Sequence, residues 1–331
     1  MVSSLLSSRI ASLPKSELHL HLEGSIQPAT VSALTARHGV TMTEAAVRQR
    51  YTYRDFHGFI QAFKWVTSFL REPQDYALIA CDLAENLLTQ NVVYTEVTLS
   101  IGVMLLRKQQ PEANFEALLR ATEPFKKRGL RFRWIFDAAR QFGASAATEV
   151  VKSAGRCASK EIVAFGIGGD ELSIPTEAFR PAYEKAAELG LHRVMHAGEV
   201  GGPEKIREAI DLGAERIGHG IAAIHDPALM DMLAERQIPL EVCPESNLKT
   251  GALARQFRDK PVRIEDHPLP HFLRHGIPVV LSTDDPAMFH TTLQSEYENA
   301  ASMGLQETEL ARIVEMGFQH AFSPAGESRR T

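Results

Sequence analysis

The chain has 331 residues, of which 44% are hydrophobic and 23% are charged, so it can bury a large core without a disulfide or a metal to hold the fold. Its 36 basic and 41 acidic residues give a net charge of −5, which argues against a general nucleic-acid-binding protein. Three widely spaced cysteines without a CxxC pair (Cys81, Cys157 and Cys243) argue against a disulfide framework and favour a reducing compartment.

The N-terminal residues show no targeting pattern. Residues 1–19 contain no long apolar run, and no basic stretch followed by an apolar one, as a membrane span or a signal peptide would. We therefore expect a cytoplasmic protein that contacts neither membrane nor nucleic acid. Residues 323–331 are small, polar and charged, and we expect them to fray. The sequence does not indicate an oligomeric state.

Eight short apolar runs recur along the chain, each followed by a loop and an amphipathic stretch. Most are rich in Val, Ile and Leu, as buried parallel strands are. The runs are residues 15–20, 92–98, 131–136, 161–167, 193–196, 216–218, 238–243 and 277–282. This alternation predicts an α/β fold in which residues 1–331 form one (β/α)8 TIM barrel, and a doubly wound open sheet is the alternative.

Between the predicted strands, apolar residues recur at helical spacing. Residues 146–159 and 176–189 show this pattern, and Pro203 and Pro227 stand where helices over 204–212 and 228–236 would begin. The connection over residues 22–91 is too long for one helix. We expect two or three extra helices after the first strand, some of them lying over the active-site mouth.

Polar residues end nearly every predicted strand. In a (β/α)8 barrel the chemistry takes place at the carboxyl ends of the strands, so these residues form the candidate site. They are His19, His21, Glu96, Asp137, Asp170, Glu171, His196, Glu199, His219, Glu245, Asn247, Asp284 and Asp285.

Three histidines in this set are candidate metal ligands. His19 and His21 lie two apart on a strand, so both rings project from the same face and can share one ion. His196 ends the fifth run and is followed by the small residues Ala197 and Gly198, which allow a tight turn and a close substrate. The alternative is that each is a core histidine satisfied by its neighbours.

Asp284 and Asp285 follow the last strand as an adjacent pair. Buried acids need a metal or strong hydrogen bonds, and adjacent side chains point in different directions. Asp284 could complete the metal site while Asp285 faces a substrate, although Asp-Asp-Pro is also an ordinary turn and helix cap. His219, between two glycines, could be a fourth nitrogen ligand, a base above the metal, or a loop residue.

Three histidines and a carboxylate suit zinc, which makes a bound water acidic near neutral pH. Glu199 lies just beyond its strand and could give a proton to a substrate, while His219 and Asp285 orient the water. The fourth run contains no lysine that could bridge two metals, so we expect one zinc per chain.

Six motifs occur together, in the order LPKSELHLHLEGS, GGDE, HAGE, RIGHG, CPESN and STDDP. In order and approximate spacing they resemble the adenosine deaminase family, over residues 13–322. The resemblance implies a zinc-dependent (β/α)8 aminohydrolase that removes the 6-amino group of an adenosine-type nucleoside, giving the inosine-type product and ammonia.

The resemblance also implies a role for each matching residue. Glu199 would protonate the purine N1, which requires a raised pKa under bound substrate, while His219 and Asp285 would activate and orient the hydroxide. Gly169 would offer its N–H to N3, and Asp285 would also bind near N7. The zinc ligands would be His19, His21, His196 and Asp284.

One position departs from the family pattern. Glu23 stands where adenosine deaminases usually have an aspartate that reaches the ribose 5′-hydroxyl, and glutamate also occurs there in adenine deaminases. Free adenine, or a nucleoside with a modified 5′ group such as aminodeoxyfutalosine of a menaquinone pathway, is therefore an alternative substrate. The carboxylate of aminodeoxyfutalosine would need a cation, which Arg140 or Lys64 could supply.

Residues 56–70 resemble the apolar helical lid that such enzymes place over the sugar. Phe56, Phe59 and Phe63 would share one face of a helix and are candidates for the pocket wall, with Trp65 off that face. Packing of an extra helix on the barrel is the alternative. A third class of function also stays open, namely a catalytically silent barrel that binds a nucleoside.

Overall fold

The computed structural model describes residues 4–53, 55–258 and 260–322. Eight parallel strands follow one another in chain order, each hydrogen-bonded to the next. Where β1 meets β8, the His21 N–H donates to the Asp284 carbonyl at 2.8 Å and the Asp284 N–H donates to the His19 carbonyl at 3.0 Å. The strands are β1 (Lys15–His21), β2 (Val92–Leu99), β3 (Arg131–Ala139), β4 (Ile162–Gly168), β5 (His192–Ala197), β6 (Arg216–His219), β7 (Leu240–Val242) and β8 (Val279–Leu281).

This arrangement confirms the predicted (β/α)8 barrel and rules out the open sheet. The last two strands are shorter than predicted, because Pro239 and Pro278 have no N–H to donate and the ladders of β7 and β8 begin one residue later. β4 is buried along its whole length, as a strand between an inner core and outer helices must be.

The connection between β1 and β2 contains more helices than expected. A 3-10 turn at Glu23–Ser25 is followed by four α-helices rather than two or three. The extra boundaries arise at caps, since the Asp55 side chain accepts the Gly58 N–H at 2.8 Å and a proline opens the first and last helices. These helices are α2 (Pro28–Arg37), α3 (Glu44–Arg50), α4 (Phe56–Thr67) and α5 (Pro73–Thr89), and α1 (Ser4–Ser12) precedes β1.

Helices also follow each later strand. The predicted helix over 176–189 begins as a 3-10 turn at Thr176–Phe179, and the other three predicted helices each begin one or two residues early. The helices are α6 (Ile101–Leu106), α7 (Pro111–Lys126), α8 (Ala144–Cys157), α9 (Arg180–Glu188), α10 (Pro203–Asp211), α11 (Pro227–Arg236), α12 (Pro244–Lys249), α13 (Ala252–Gln256), α14 (Leu269–Arg274), α15 (Pro286–Phe289), α16 (Leu293–Ser302) and α17 (Glu307–Gln319).

Among the described residues, no helix combines the length and the apolar character that a membrane span requires. The tail over 323–331, for which fraying is expected, lies outside the described residues.

Candidate metal centre and substrate cavity

Four side chains from three strand ends converge at the carboxyl end of the barrel. One donor atom each from His19, His21, His196 and Asp284 lies within 4.8 Å of the others. The His21 Nε2 is 3.3 Å from both the His196 Nε2 and the Asp284 Oδ1. The His19 Nε2 is buried and has no hydrogen-bond partner among the described residues. Three nitrogens and one oxygen, with an orphaned ring nitrogen, form a donor set that fits one divalent metal.

Hydrogen bonds from neighbouring groups fix the orientation of three of these side chains. The His19 Nδ1 donates to Glu241 at 2.7 Å, so its Nε2 lone pair points into the cluster. The His196 Nδ1 donates to the Ile167 carbonyl at 3.2 Å, and the Ser246 hydroxyl donates to Asp284 at 2.6 Å. Sequence reasoning assigned no role to Glu241 or Ser246. The sequence feature that could have identified Glu241 is an acidic residue inside a short, buried strand.

Asp284 and Asp285 point to different places, as expected for adjacent residues. The Asp284 backbone is left-handed, with φ at +65°, and its carboxylate joins the cluster. The Asp285 carboxylate lies so close over Gly24 that a Cβ there would be 1.7 Å from it. Only glycine at position 24 lets Asp285 face the cavity.

His219 lies beside the cluster, with its Nε2 3.6 Å from Glu199 and 4.0 Å from Asp284. On its other side, the Asn247 amide donates to the His219 Nδ1 at 3.0 Å, and the Asn247 Oδ1 accepts from the His267 Nε2 at 3.2 Å. The His267 Nδ1 in turn accepts the Leu269 N–H at 3.1 Å.

This chain of hydrogen bonds determines the tautomer of His219. A backbone N–H can only donate, so each ring and amide after it has an assigned direction, and the proton of neutral His219 is left on Nε2. Burial lowers the pKa of His219 to about 3, which keeps the ring neutral. His219 therefore presents an N–H donor to the cavity.

Glu199 sits in a tightly held loop, residues 198–201. The Glu171 carboxylate accepts the N–H groups of Gly198 at 2.5 Å, Val200 at 2.8 Å and Gly201 at 2.8 Å. The Gln256 side chain donates to the Glu199 carbonyl at 2.9 Å. Burial, helped by the charges of Asp284 and Glu171, raises the pKa of Glu199 to about 8, so its carboxyl is protonated at neutral pH.

A cavity of about 480 Å³ opens in front of the cluster. One wall is α4, where the predicted residues Phe56, Phe59 and Phe63 line the space together with Ile60. Gly169, with φ at +90°, also lines the cavity. Trp65 instead packs against Phe69, with ring centroids 5.5 Å apart.

Two buried acids have an oxygen without a hydrogen-bond partner among the described residues, the Glu23 Oε2 and the Asp137 Oδ1. Glu23 is 2% exposed, accepts the Ser100 N–H at 3.1 Å, and lies behind the residues that line the cavity. Asp137 lines the cavity directly. Burial and the charge of Glu23 raise the pKa of Asp137 to about 8.

The cations of the cavity differ in part from those expected. Arg140 is 1% exposed and donates to the His196 carbonyl at 3.1 Å, so the expectation that it meets a substrate carboxylate is wrong. Lys64 lines the cavity as expected, and so does Arg107, which sequence reasoning missed. Arg107 donates to the backbone carbonyl and, at 2.9 Å, to the hydroxyl of Thr67. No motif surrounds it.

Four acids expected at the site have other surroundings. Glu96 binds Arg216 inside the barrel, because it lies three residues before the end of β2. Glu245 pairs with Lys249 at 3.2 Å on α12. Asp170 is exposed, and its neighbour Glu171 serves the backbone of the Glu199 loop rather than a metal or substrate.

Comparison with known proteins matches residues 14–331 to the family described as adenosine deaminase. An aminodeoxyfutalosine deaminase of Streptomyces coelicolor (strain ATCC BAA-471 / A3(2) / M145) is 39% identical over 329 residues, 97% of this chain and 83% of that protein. An adenosine deaminase of Escherichia coli (strain SE11) is 32% identical over 328 residues, 96% of each chain. The crystal structure of an adenine deaminase from Arthrobacter aurescens superimposes with a TM-score of 0.85 at 29% identity, covering 94% of each chain.

Proposed function

Since this chain belongs to the adenosine deaminase family and acts on adenine or adenosine-like substrates, we propose that its substrate is an adenine nucleoside whose 5′ substituent carries a carboxylate. Aminodeoxyfutalosine is such a nucleoside. The aminodeoxyfutalosine deaminase of S. coelicolor is 39% identical to this chain, against 32% for the E. coli adenosine deaminase.

This proposal depends on two cations that lie next to the apolar wall of the cavity. Lys64 and Arg107 line the cavity at the C-terminal end of α4, beyond the phenylalanines. Lys64 has no ion-pair partner among the described residues. A ligand that fills this part of the cavity gains by placing an anionic group there, since an unpaired cation beside apolar surface favours a counter-charge.

A buried acid favours a nucleoside over free adenine. The Asp137 carboxyl lines the cavity and has an oxygen without a hydrogen-bond partner among the described residues, which favours a ligand that offers a hydrogen bond there. A ribose hydroxyl can donate or accept such a bond, and free adenine has no hydroxyl.

The proposed metal is one zinc ion, held by His19, His21, His196 and Asp284, because imidazole nitrogens with one carboxylate are a common zinc set. Zinc, when bound, supplies a water that loses a proton near neutral pH.

The protein groups supply the remaining steps. Glu199, protonated at neutral pH, gives its proton to the purine N1 as oxygen attacks C6, so the ring does not accumulate negative charge. The His219 Nε2–H donates a hydrogen bond to the attacking oxygen, and Asp285 accepts one, which orients it. The hydroxyl proton then moves through Asp285 to the departing amino group, the C6–N bond breaks, ammonia leaves, and the 6-oxo purine remains with its proton on N1. The proton that the next water loses restores Glu199. The Gly169 N–H is proposed to bind N3, and α4 excludes bulk water.

The test compares kcat/KM for aminodeoxyfutalosine, adenosine, methylthioadenosine and adenine on the zinc-loaded enzyme, followed by loss of adenine absorbance. We expect aminodeoxyfutalosine to be the best substrate. Lys64→Met should raise KM for it by about fivefold and leave methylthioadenosine unaffected, because one partly exposed ion pair contributes about 1 kcal/mol. Lys108→Met, outside the cavity, is the matched control. A higher kcat/KM for adenosine or adenine would refute the carboxylate proposal, and inertness towards all four would refute the enzyme assignment.

A further inference from the structure

A short C-terminal segment, residues 320–322, covers the amino ends of β5 and β6. The ring of Phe322 stacks on His192, the first residue of β5, with centroids 4.1 Å apart and planes 2° from parallel. It also lies 3.7 Å from the guanidinium of Arg216, the first residue of β6. Phe322 is buried among Ile135, Val163, Ala164 and Val194, so it closes the end of the barrel away from the cavity.

Arg216 links this segment to the interior. It is 1% exposed and has three different acceptors. It donates to the His320 carbonyl at 2.9 Å, to Glu96 at 2.5 Å and to Glu241 at 2.5 Å. The second oxygen of Glu96 accepts the Phe322 N–H at 2.5 Å. The backbone at 320–322 therefore fixes both Arg216 and one of its carboxylates.

Glu241, the other carboxylate bound to Arg216, also contacts the metal centre. The second oxygen of Glu241 accepts the His19 Nδ1–H at 2.7 Å. Glu241 has to satisfy a guanidinium on one side and an imidazole on the other, so a shift of Arg216 displaces the ring of His19. Bonds between charged groups in a dry interior are strong and sensitive to geometry.

We propose that residues 320–322 are a positioning element for the metal centre at the far end of the barrel. They exclude water from the layer of charges and hold Arg216, which holds Glu241, which sets the ring of His19. Without them Arg216 loses an acceptor, Glu96 loses a donor, and water reaches both. This inference rests on the metal site proposed above.

The test measures zinc affinity by competition with a chromogenic chelator. A chain that ends at residue 319 is compared with the full chain and with a control that ends at residue 324, which retains every contact described. We expect the shorter chain to bind zinc at least about tenfold more weakly, the cost typical of losing a partner behind a metal ligand. The visible spectrum of the cobalt-substituted protein should also change, and the control should match the full chain in both respects.

If the shorter chain does not fold, a milder variant tests whether residues 320–322 position the metal ligands. The Tyr94 hydroxyl donates to the Phe322 carbonyl at 2.6 Å and also lies 3.0 Å from the Glu96 Oε1, so Tyr94→Phe removes one bond to the segment and one contact with the carboxylate that the segment fixes. We expect zinc binding about threefold weaker, in line with one hydrogen bond. Val150→Ala on α8 should lower the Tm without changing zinc affinity, which separates positioning from general stability.

The outcomes distinguish two failures. Unchanged zinc affinity in the folded shorter chain, or in Tyr94→Phe, would overturn the positioning role alone. A full chain that binds no zinc would overturn the proposed metal site, and this inference with it.

Discussion

Glu171 offers the sharpest test of how the loop around Glu199 is held. Its carboxylate accepts three backbone N–H groups of residues 198–201, at 2.5, 2.8 and 2.8 Å. In Glu171→Gln one oxygen becomes an NH2 that faces N–H donors and finds no acceptor. A hydrogen bond to a charged group contributes about 1.5–3 kcal/mol, so losing one or two of them costs about 2–5 kcal/mol. Because a displacement of about 1 Å in a reacting group lowers rates by about 100-fold, we expect kcat/KM to fall by about that factor.

The assay follows the loss of adenine absorbance, with metal content and circular dichroism measured on the same samples. Asp170→Asn is the matched control, since this neighbouring acid is exposed and its carboxylate accepts only the Leu172 N–H, at 3.2 Å, among the described residues. Its kcat/KM should stay within about twofold of the original, as for most exposed substitutions. A folded, metal-loaded Glu171→Gln enzyme with unchanged kcat/KM would refute the reasoning.

Three further outcomes are expected. Glu199→Gln should keep the metal, measured by atomic absorption, but lower kcat by at least about 100-fold because it cannot deliver a proton; near-normal turnover would contradict its role. His267→Ala should lower kcat about tenfold with little change in KM, since the tautomer of His219 loses its support; unchanged kcat would count against the hydrogen-bond chain. Asp75→Asn should lower the free energy of unfolding at pH 7 by about 2 kcal/mol and flatten its acid dependence. Burial raises the pKa of Asp75, but hydrogen bonds, led by those from the Arg71 and Glu72 N–H groups, outweigh burial and lower that pKa. The stability that Asp75 contributes is therefore present at neutral pH and is lost as the pH falls. A urea-unfolding free energy with the same pH dependence in both proteins would contradict this.

The parts of the site that could be predicted from sequence depend on local periodicity. His19 and His21 share a face because a strand repeats every two residues. His196 lies near the end of β5 and Asp284 follows β8, and the ends of the strands meet in any (β/α)8 barrel. The fold followed from the same pattern of eight apolar runs. The count of helices after β1 did not, because it depends on where caps such as Asp55 start a new helix.

The parts that could not be predicted depend on which way a side chain turns after its strand ends. Arg140 follows β3 directly, but the 3-10 turn Arg140–Phe142 directs it inward to a backbone carbonyl rather than to the cavity. Glu171 looked like a ligand or proton carrier, and its real partners are N–H groups some thirty residues away in the chain. The contact of Glu241 with His19 joins β7 to β1, a register that no local pattern specifies.

The meeting of β1 and β8 has a consequence for how the protein matures. His19 comes from the first strand, whereas Asp284 follows the last one and is bonded to the backbone of β1. During synthesis the ribosome must release the chain through Asp284 before the proposed fourth donor can reach the other three. All four proposed donors are therefore present only in chains translated past Asp284, and a product that ends before it would offer an ion only the three histidines.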